Sequence, residues 1–121
     1  MNDAPLLMVV DDDPSVLLLV DVLAEKMGFR VKAVSNGLQA LEHLRDGLQP
    51  SVILLDIMME RIDGLTFMNH LREMPALEET PVVAMSTAAV LERYGEQLQV
   101  SGTLLKPITN ATLSQALAKY R

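Results

Sequence analysis

The stretch Ser51-Val52-Ile53-Leu54-Leu55-Asp56 places four apolar residues in a row directly before a carboxylate. An unbroken apolar run of this kind predicts a strand buried on both faces, as in a parallel sheet that is covered by helices. Such sheets carry their binding sites at the carboxyl ends of their strands. We therefore expect Asp56 to lie at the edge of the sheet where a functional site would form.

The rest of the chain alternates between short apolar runs and segments with helical spacing. Further strands are expected at 6–10, 31–34, 81–86 and 102–105, and helices at about 14–27, 38–46, 64–74, 87–98 and from 109 or 110 onward. This order predicts an α/β fold with a doubly wound parallel sheet, because right-handed crossovers place helices on both faces. A length of 121 residues, half of them apolar, fits a single domain over 1–121.

The composition excludes several classes of function. The absence of cysteine rules out disulfides, thiolate catalysis and zinc sites built on thiolates. A formal charge of −6 argues against direct binding of nucleic acid, which depends on clustered Lys and Arg. No stretch reaches the roughly 18 apolar residues of a membrane span, and no basic residue precedes the first apolar run. We therefore expect a cytoplasmic protein that does not bind a membrane.

Spacing within two helices predicts which side chains are buried. In the helix over about 64–74, Leu65, Met68 and Leu71 are expected to face the core, with Phe67 at the margin. The first helix carries more apolar residues than one buried stripe requires. Its surplus either joins the core or forms an exposed docking patch, and the residues concerned are Leu17, Leu18 and Val22.

Polar residues follow four of the five predicted strands. They are Asp11, Asp12 and Asp13 after the first, Asp56 after the third, Ser86 and Thr87 after the fourth, and Lys106 after the fifth. Parallel strands end at one edge of the sheet, so these groups are expected to lie together. Clustered carboxylates repel one another unless their pKa values shift or a cation binds, and carboxylate oxygens with waters suit Mg²⁺.

The same residues suit the transfer of a phosphoryl group. A carboxylate such as Asp56 can accept it as an aspartyl-phosphate. Mg²⁺ and the Lys106 ammonium would stabilise charge on the transferring oxygens, and the Ser86 hydroxyl would donate a hydrogen bond to one of them. For Asp13 a simpler role is favoured, that of capping the helix that begins at Pro14.

Taken in order, five segments make the chain resemble the receiver domain of the two-component response-regulator family over essentially its full length. They are Val9-Val10-Asp11-Asp12-Asp13-Pro14, Leu54-Leu55-Asp56-Ile57-Met58-Met59, Asp63-Gly64, Ser86-Thr87 and Lys106-Pro107. The resemblance implies a flavodoxin-like (βα)5 fold with strand order 2-1-3-4-5. It implies phosphorylation of Asp56 by a histidine kinase or a histidine phosphotransfer protein, with Ser86 as the switch hydroxyl and Lys106 as the phosphate-binding lysine. It also implies an Mg²⁺ site formed by Asp11, Asp12, Asp56 and the backbone carbonyl of Met58.

The function expected from these observations is a phosphoacceptor signalling domain that switches its affinity for a downstream protein or output domain. It would assist its own phosphorylation and dephosphorylation but turn over no external substrate. A docking module that works without phosphorylation is the first alternative, because Thr103 replaces an aromatic residue and Glu60-Arg61 replaces Pro-Gly. The second is a hydrolase or flavin protein, although the loops lack a glycine-rich phosphate cradle and Met58 stands where a second acid would be needed.

Overall fold

A computed structural model of the chain describes residues 4–59 and 62–121. Its five strands are β1 (Leu6–Val10), β2 (Arg30–Val34), β3 (Val52–Asp56), β4 (Val82–Ser86) and β5 (Gly102–Leu105). All pair in parallel, in the order β2-β1-β3-β4-β5. The expected doubly wound sheet and its strand order are confirmed. The Glu60-Arg61 difference noted in the sequence lies outside the described residues.

Five helices connect and follow the strands. They are α1 (Pro14–Lys26), α2 (Gly37–Arg45), α3 (Gly64–Arg72), α4 (Ala88–Leu98) and α5 (Asn110–Leu117). Side-chain oxygens cap the first three, because Asp13, Asn36 and Asp63 accept hydrogen bonds from backbone N–H groups of the first turn at 2.8–2.9 Å. The predicted capping role of Asp13 is confirmed. These caps fix where each helix begins relative to the strand before it.

The core lies on both faces of the sheet, because successive residues of the central strands point in opposite directions. Met8 and Val10 of β1 pack with α2, α3 and the end of α4, whereas Leu7 and Val9 pack with α1 and α5. Every residue of β1, β3 and β4 is buried. The prediction that the run ending at Asp56 is covered on both faces is therefore confirmed.

Helix α3 buries Met68 and Leu71, as predicted, but not Leu65. Leu65 is 44% exposed, while Phe67 is fully buried, so the expectation that Leu65 faces the core with Phe67 at its margin is wrong. The reason is the close approach of Gly64 to Ile57, where an added Cβ would lie 2.9 Å from the Ile57 side chain. The buried stripe therefore starts at Gly64 and continues three, four and seven positions later.

Some apolar side chains of α1 face solvent. Leu18 is 67% exposed and Val22 is 45% exposed, whereas Leu17 packs against the core. Of the surplus apolar residues, one therefore joins the core and two are exposed. Within 4–59 and 62–121, no helix is both long and apolar enough to cross a membrane.

Candidate functional site

The carboxyl ends of four strands bring the predicted polar residues to one edge of the sheet. Asp11 directly follows β1, Asp56 ends β3, Ser86 ends β4 and Lys106 directly follows β5. The parallel register sets Val10 beside Leu55, Asp56 beside Met85 and Ser86 beside Leu105. The Lys106 N–H then donates to the Ser86 carbonyl at 3.0 Å, which continues the ladder by one residue and carries the lysine to the acids.

A lysine links the two buried acids of the site. Lys106 Nζ lies 2.8 Å from Oδ2 of Asp11 and 3.4 Å from Oδ2 of Asp56. Asp11 is fully buried and Asp56 is 5% exposed, whereas a quarter of the Lys106 side chain reaches solvent. Because an unpaired buried carboxylate is strongly unfavourable, it matters that this ammonium gives both buried acids a nearby positive charge.

Backbone N–H groups hold the second oxygen of each acid. The Asp13 N–H donates to Oδ1 of Asp11 at 2.8 Å, and the Met58 N–H donates to Oδ1 of Asp56 at 3.1 Å. Each donor lies two residues beyond the carboxylate that it binds, so the loop after each strand orients the acid at the strand's end. Both acids thus present one oxygen to their own loop and the other to Lys106.

The ionisation of the site follows from burial and from these pairs. Burial raises the pKa of Asp56, and the charge of Asp11 adds to the rise, against the opposing effects of the Met58 N–H and Lys106. For Lys106, burial disfavours the charged ammonium, but the hydrogen bond and charge of Asp11, with those of Asp56, outweigh it and raise the lysine's pKa. Lys106 is therefore a firmly protonated cation, and ionised Asp56 gains from any further positive charge.

A third acid completes a set of oxygen ligands. Asp11, Asp12 and Asp56 each offer a carboxylate oxygen, and these oxygens lie within 4.8 Å of one another. Asp12 is exposed, so the group opens to solvent on its side. A hard cation such as Mg²⁺ takes carboxylate oxygens and completes its octahedron with waters, which this half-open arrangement fits.

Ser86, Thr87 and Thr103 occupy different environments. Ser86 is buried at the end of β4, the strand next to the one that ends in Asp56. Exposed Thr87 is the N-cap residue of α4, and its side chain makes no capping bond. Thr103 lies exposed on β5, opposite Ala84. His43 and His70 lie on α2 and α3. Neither histidine belongs to the acid cluster, which is the one candidate cation site in the described part of the chain.

One residue of this region, Gly37, was missed in the sequence because Asn36-Gly37 indicates only a turn. In the structure it is the first residue of α2, where an added Cβ would overlap Cγ2 of Ile62 in the loop after β3. The sequence does hold one signal for a special role of this residue: a glycine stands at the start of a helix for which Asn36 already supplies the N-cap. A glycine there is unfavourable for the helix itself, which points to a close contact.

A parallel doubly wound sheet with acids and a lysine at its carboxyl edge defines a receiver-type α/β domain. The family model of the response regulator receiver domain matches residues 7–118. The chain therefore belongs to the response regulator receiver domain family of two-component signalling, as the sequence motifs indicated.

Curated relatives include both kinases and regulators. The chain is 33% identical over 117 residues to the signal transduction histidine-protein kinase BarA of Escherichia coli (strain K12), covering 94% of this chain but only 12% of that protein. It is 30% identical over 118 residues to the two-component response regulator ORR5 of Oryza sativa subsp. japonica, covering 96% of this chain and 88% of the relative. The same domain is thus found within long kinases and as nearly the whole of a short regulator.

Solved structures agree with the fold. The chemotaxis response regulator CheY4 of Vibrio cholerae superposes with a TM-score of 0.88 at 24% identity, covering 98% of this chain and 99% of that one. The receiver domain of sensor histidine kinase PA1611 from Pseudomonas aeruginosa PAO1, whose structure has a magnesium ion coordinated in the active site cleft, gives 0.87 at 22% identity and covers 97% of each chain. The flavodoxin-like fold implied by the resemblance is confirmed.

Proposed function

We propose that Asp56 accepts a phosphoryl group from a phosphohistidine donor while Mg²⁺ is bound, and that the modified domain differs in affinity for a partner. The observation that carries the proposal is the position of Asp56. Its buried Oδ2 lies 3.4 Å from Lys106 Nζ, and its carboxylate lies within 4.8 Å of those of Asp11 and Asp12. A nucleophile, a fixed cation and a set of oxygen ligands for a second cation thus meet at one point.

In the transfer, a carboxylate oxygen of Asp56 forms a bond to phosphorus while the bond from phosphorus to the donor's imidazole nitrogen breaks. The imidazole leaves with the electron pair of that bond. Lys106 holds its ammonium beside the reacting oxygens, and the Ser86 hydroxyl is the donor that would bind one of them in the product. In phosphoryl transfer such positioning and charge neutralisation supply most of the rate enhancement.

Bound Mg²⁺ would supply further charge neutralisation at the same oxygens. The carboxylates of Asp11, Asp12 and Asp56 would hold it, with the backbone carbonyl of Met58 as a fourth protein ligand. The magnesium ion in the cleft of the PA1611 receiver domain supports this proposal. Support also comes from the observed donor set, which consists only of oxygens and is open to water on one side.

The partners proposed follow from the family. Because relatives include histidine kinases, we propose a histidine kinase or a histidine phosphotransfer protein as the donor. A downstream protein or an attached output domain would read the modified state, by favouring one of two conformations. The formal charge of −6 argues against direct binding of nucleic acid, and no turnover of an external substrate is proposed.

A docking module that acts without phosphorylation is the second candidate. It is favoured by Thr103, which lies exposed on β5 where the family usually has an aromatic switch residue. Equal affinity for a partner before and after phosphorylation would support this alternative. An affinity that changes on phosphorylation would support the phosphoacceptor function.

The test of the proposal is phosphorylation of the purified chain with an acyl phosphate, read by intact mass. We expect one added phosphoryl group in the presence of Mg²⁺, none after addition of a chelator, and none in Asp56→Asn. Asp46→Asn, which removes an exposed carboxylate beyond the end of α2, is the matched control and should be labelled normally. Undiminished labelling of Asp56→Asn would refute the assignment of the acceptor.

A further inference from the structure

The loop after β3 leaves the site over the start of α2. Gly37, the first residue of that helix, is buried, and an added Cβ at this position would overlap Cγ2 of Ile62. The same Cβ would lie 3.5 Å from both Met59 Cε and Phe67 Cδ2. The helix backbone therefore contacts the loop both shortly after Asp56 and shortly before α3.

Among the loop residues that the structure describes, three apolar side chains are buried while that of Met58 is exposed. Ile57, Met59 and Ile62 are 4–8% exposed, whereas Met58 is 57% exposed. Ile57 is held by Gly64, whose N–H donates to the Ile57 carbonyl at 3.3 Å. Met59 and Ile62 are the described residues of this loop that lie against Gly37, beside Phe67 of α3.

The start of α2 cannot easily give way to an added side chain. The Asn36 side chain caps the Gln39 N–H at 2.8 Å, and the Asn36 carbonyl accepts from the Ala40 N–H at 3.2 Å. Behind this turn the helix is packed into the core through Ala40, Leu41 and Leu44. An added methyl needs a carbon–carbon separation of about 3.5–4.0 Å, so Ile62 and its loop would have to move by on the order of an ångström.

We propose that Gly37 is a positioning residue for the site at Asp56, acting through the loop of Met59 and Ile62. The missing Cβ lets the loop lie close enough to α2 to place Met58, whose N–H binds Asp56 at 3.1 Å and whose carbonyl is the proposed Mg²⁺ ligand. The inference rests on the proposed function for its effect on Mg²⁺ and phosphorylation. The displacement of the loop itself does not depend on that function.

The test compares Gly37→Ala with Gly102→Ala. At Gly102 the nearest atom to an added Cβ is Val83 Cγ2 at 3.8 Å, an ordinary contact, so this variant is the matched control. We expect Gly37→Ala to shift the amide resonances of Asp56 and Met58 and to weaken Mg²⁺ binding and labelling by on the order of 10-fold, as for residues that orient metal ligands. Gly102→Ala should change none of these.

A packing role alone predicts a different result. All measurements are made at a temperature at which denaturant titration shows each variant to be folded, so that lower stability by itself leaves Mg²⁺ affinity unchanged. In the Ile62→Ala background the added methyl has nothing to displace, and Gly37→Ala should then change Mg²⁺ affinity no further. Wild-type Mg²⁺ affinity with unshifted Met58 resonances in Gly37→Ala would overturn the proposal.

Two other results would change the test: Gly37→Ala could fail to fold, or the wild type could fail to be labelled. If Gly37→Ala does not fold, Ile62→Ala replaces it. The Mg²⁺ binding of Ile62→Ala must then be weaker than that of Leu77→Ala, which removes another buried side chain, outside this loop. Equal binding in those two variants would overturn the proposal. If the wild type is not labelled, the proposed function fails, and the Asp56 and Met58 resonances of Gly37→Ala still decide whether Gly37 positions the loop.

Discussion

Lys106 Nζ donates a hydrogen bond of 2.8 Å to Oδ2 of Asp11, across 95 residues of sequence. The side chain of Asp11 is fully buried, whereas about a quarter of the Lys106 side chain is exposed to solvent. The chain therefore holds a buried acid and its counterion at the end of a sheet in a protein of formal charge −6. Removal of the lysine's charge should therefore lower the stability of the folded protein.

Lys106→Met should destabilise the protein at neutral pH. The loss is expected to be about 1–2 kcal/mol, below the 3–5 kcal/mol for breaking a fully buried pair, because Lys106 is partly solvated. The loss should shrink as the pH falls, since burial raises the pKa of Asp56 and its protonated carboxyl needs no counterion. Urea unfolding at pH 7 and pH 4 measures both values, with exposed Lys26→Met as the control. An equal deficit at both pH values would contradict the charge explanation.

Asp56→Asn should raise the melting temperature at pH 7 without Mg²⁺, by on the order of a few degrees. Burial raises the pKa of Asp56 in the folded state, so its contribution to stability is present below the unfolded pKa of about 3.9 and is lost as the pH rises through the folded value. Ionised Asp56 thus costs stability at pH 7, and asparagine removes that cost.

The check on Asp56→Asn is thermal unfolding across the pH range. The gain over the wild type should vanish in acid, where Asp56 is protonated in both states. Glu42→Gln, an exposed change on α2, should show no such pattern. A variant less stable than the wild type at pH 7 would mean that attraction to Lys106 exceeds the cost of burial.

Asp12→Asn should separate cation binding from folding. Asp12 is exposed, so the variant should unfold like the wild type in the presence of a chelator. Its stabilisation by Mg²⁺ should be smaller, because a tenfold loss of affinity at saturating ion removes about 1.4 kcal/mol. Thermal unfolding over a Mg²⁺ titration measures this, with Asp46→Asn as the control. Equal stabilisation of both variants would remove Asp12 from the site.

Ser86→Ala should leave Asp56 competent to accept a phosphoryl group but slow its labelling, by at most the 10²–10³-fold seen on removal of an oxyanion donor (about 3–4 kcal/mol). The amide shifts that phosphorylation causes in β4 and α4 should also shrink. Ser86→Thr keeps the hydroxyl and should behave more like the wild type. Thr87→Ala alters only an exposed neighbour and serves as the control. Unchanged labelling rates and unchanged amide shifts in Ser86→Ala would show that the Ser86 hydroxyl takes no part in phosphorylation or in the response to it.

Much of the fold could be predicted because strand and helix signals are local. The apolar runs ending at Val10 and Leu55 each mark a strand buried on both faces, and the acid after each run, Asp11 or Asp56, marks the edge where the site forms. The face of α3 could not be predicted in the same way. It depends on the approach of Gly64 to Ile57, a tertiary contact that helical spacing does not contain.

The site was predictable as a set of side chains but not as a set of contacts. Asp11, Asp56 and Lys106 follow from strand ends, yet nothing in the sequence indicates that the lysine lies nearer to Asp11 than to Asp56. The role of Gly37 could not be predicted, because the residue that it contacts, Ile62, belongs to the loop after β3. This contact depends on how that loop packs against the start of α2, which no single segment specifies.

The sheet order has a consequence for partly folded chains. Asp11, Asp56 and Lys106 come from three separate strands, and the two ion pairs among them form only once β1, β3, β4 and β5 lie side by side in the sheet. Such parallel pairings close long segments of chain and are slow to form. A copy in which these strands have not all paired therefore lacks the charge-paired acids and lysine of the site.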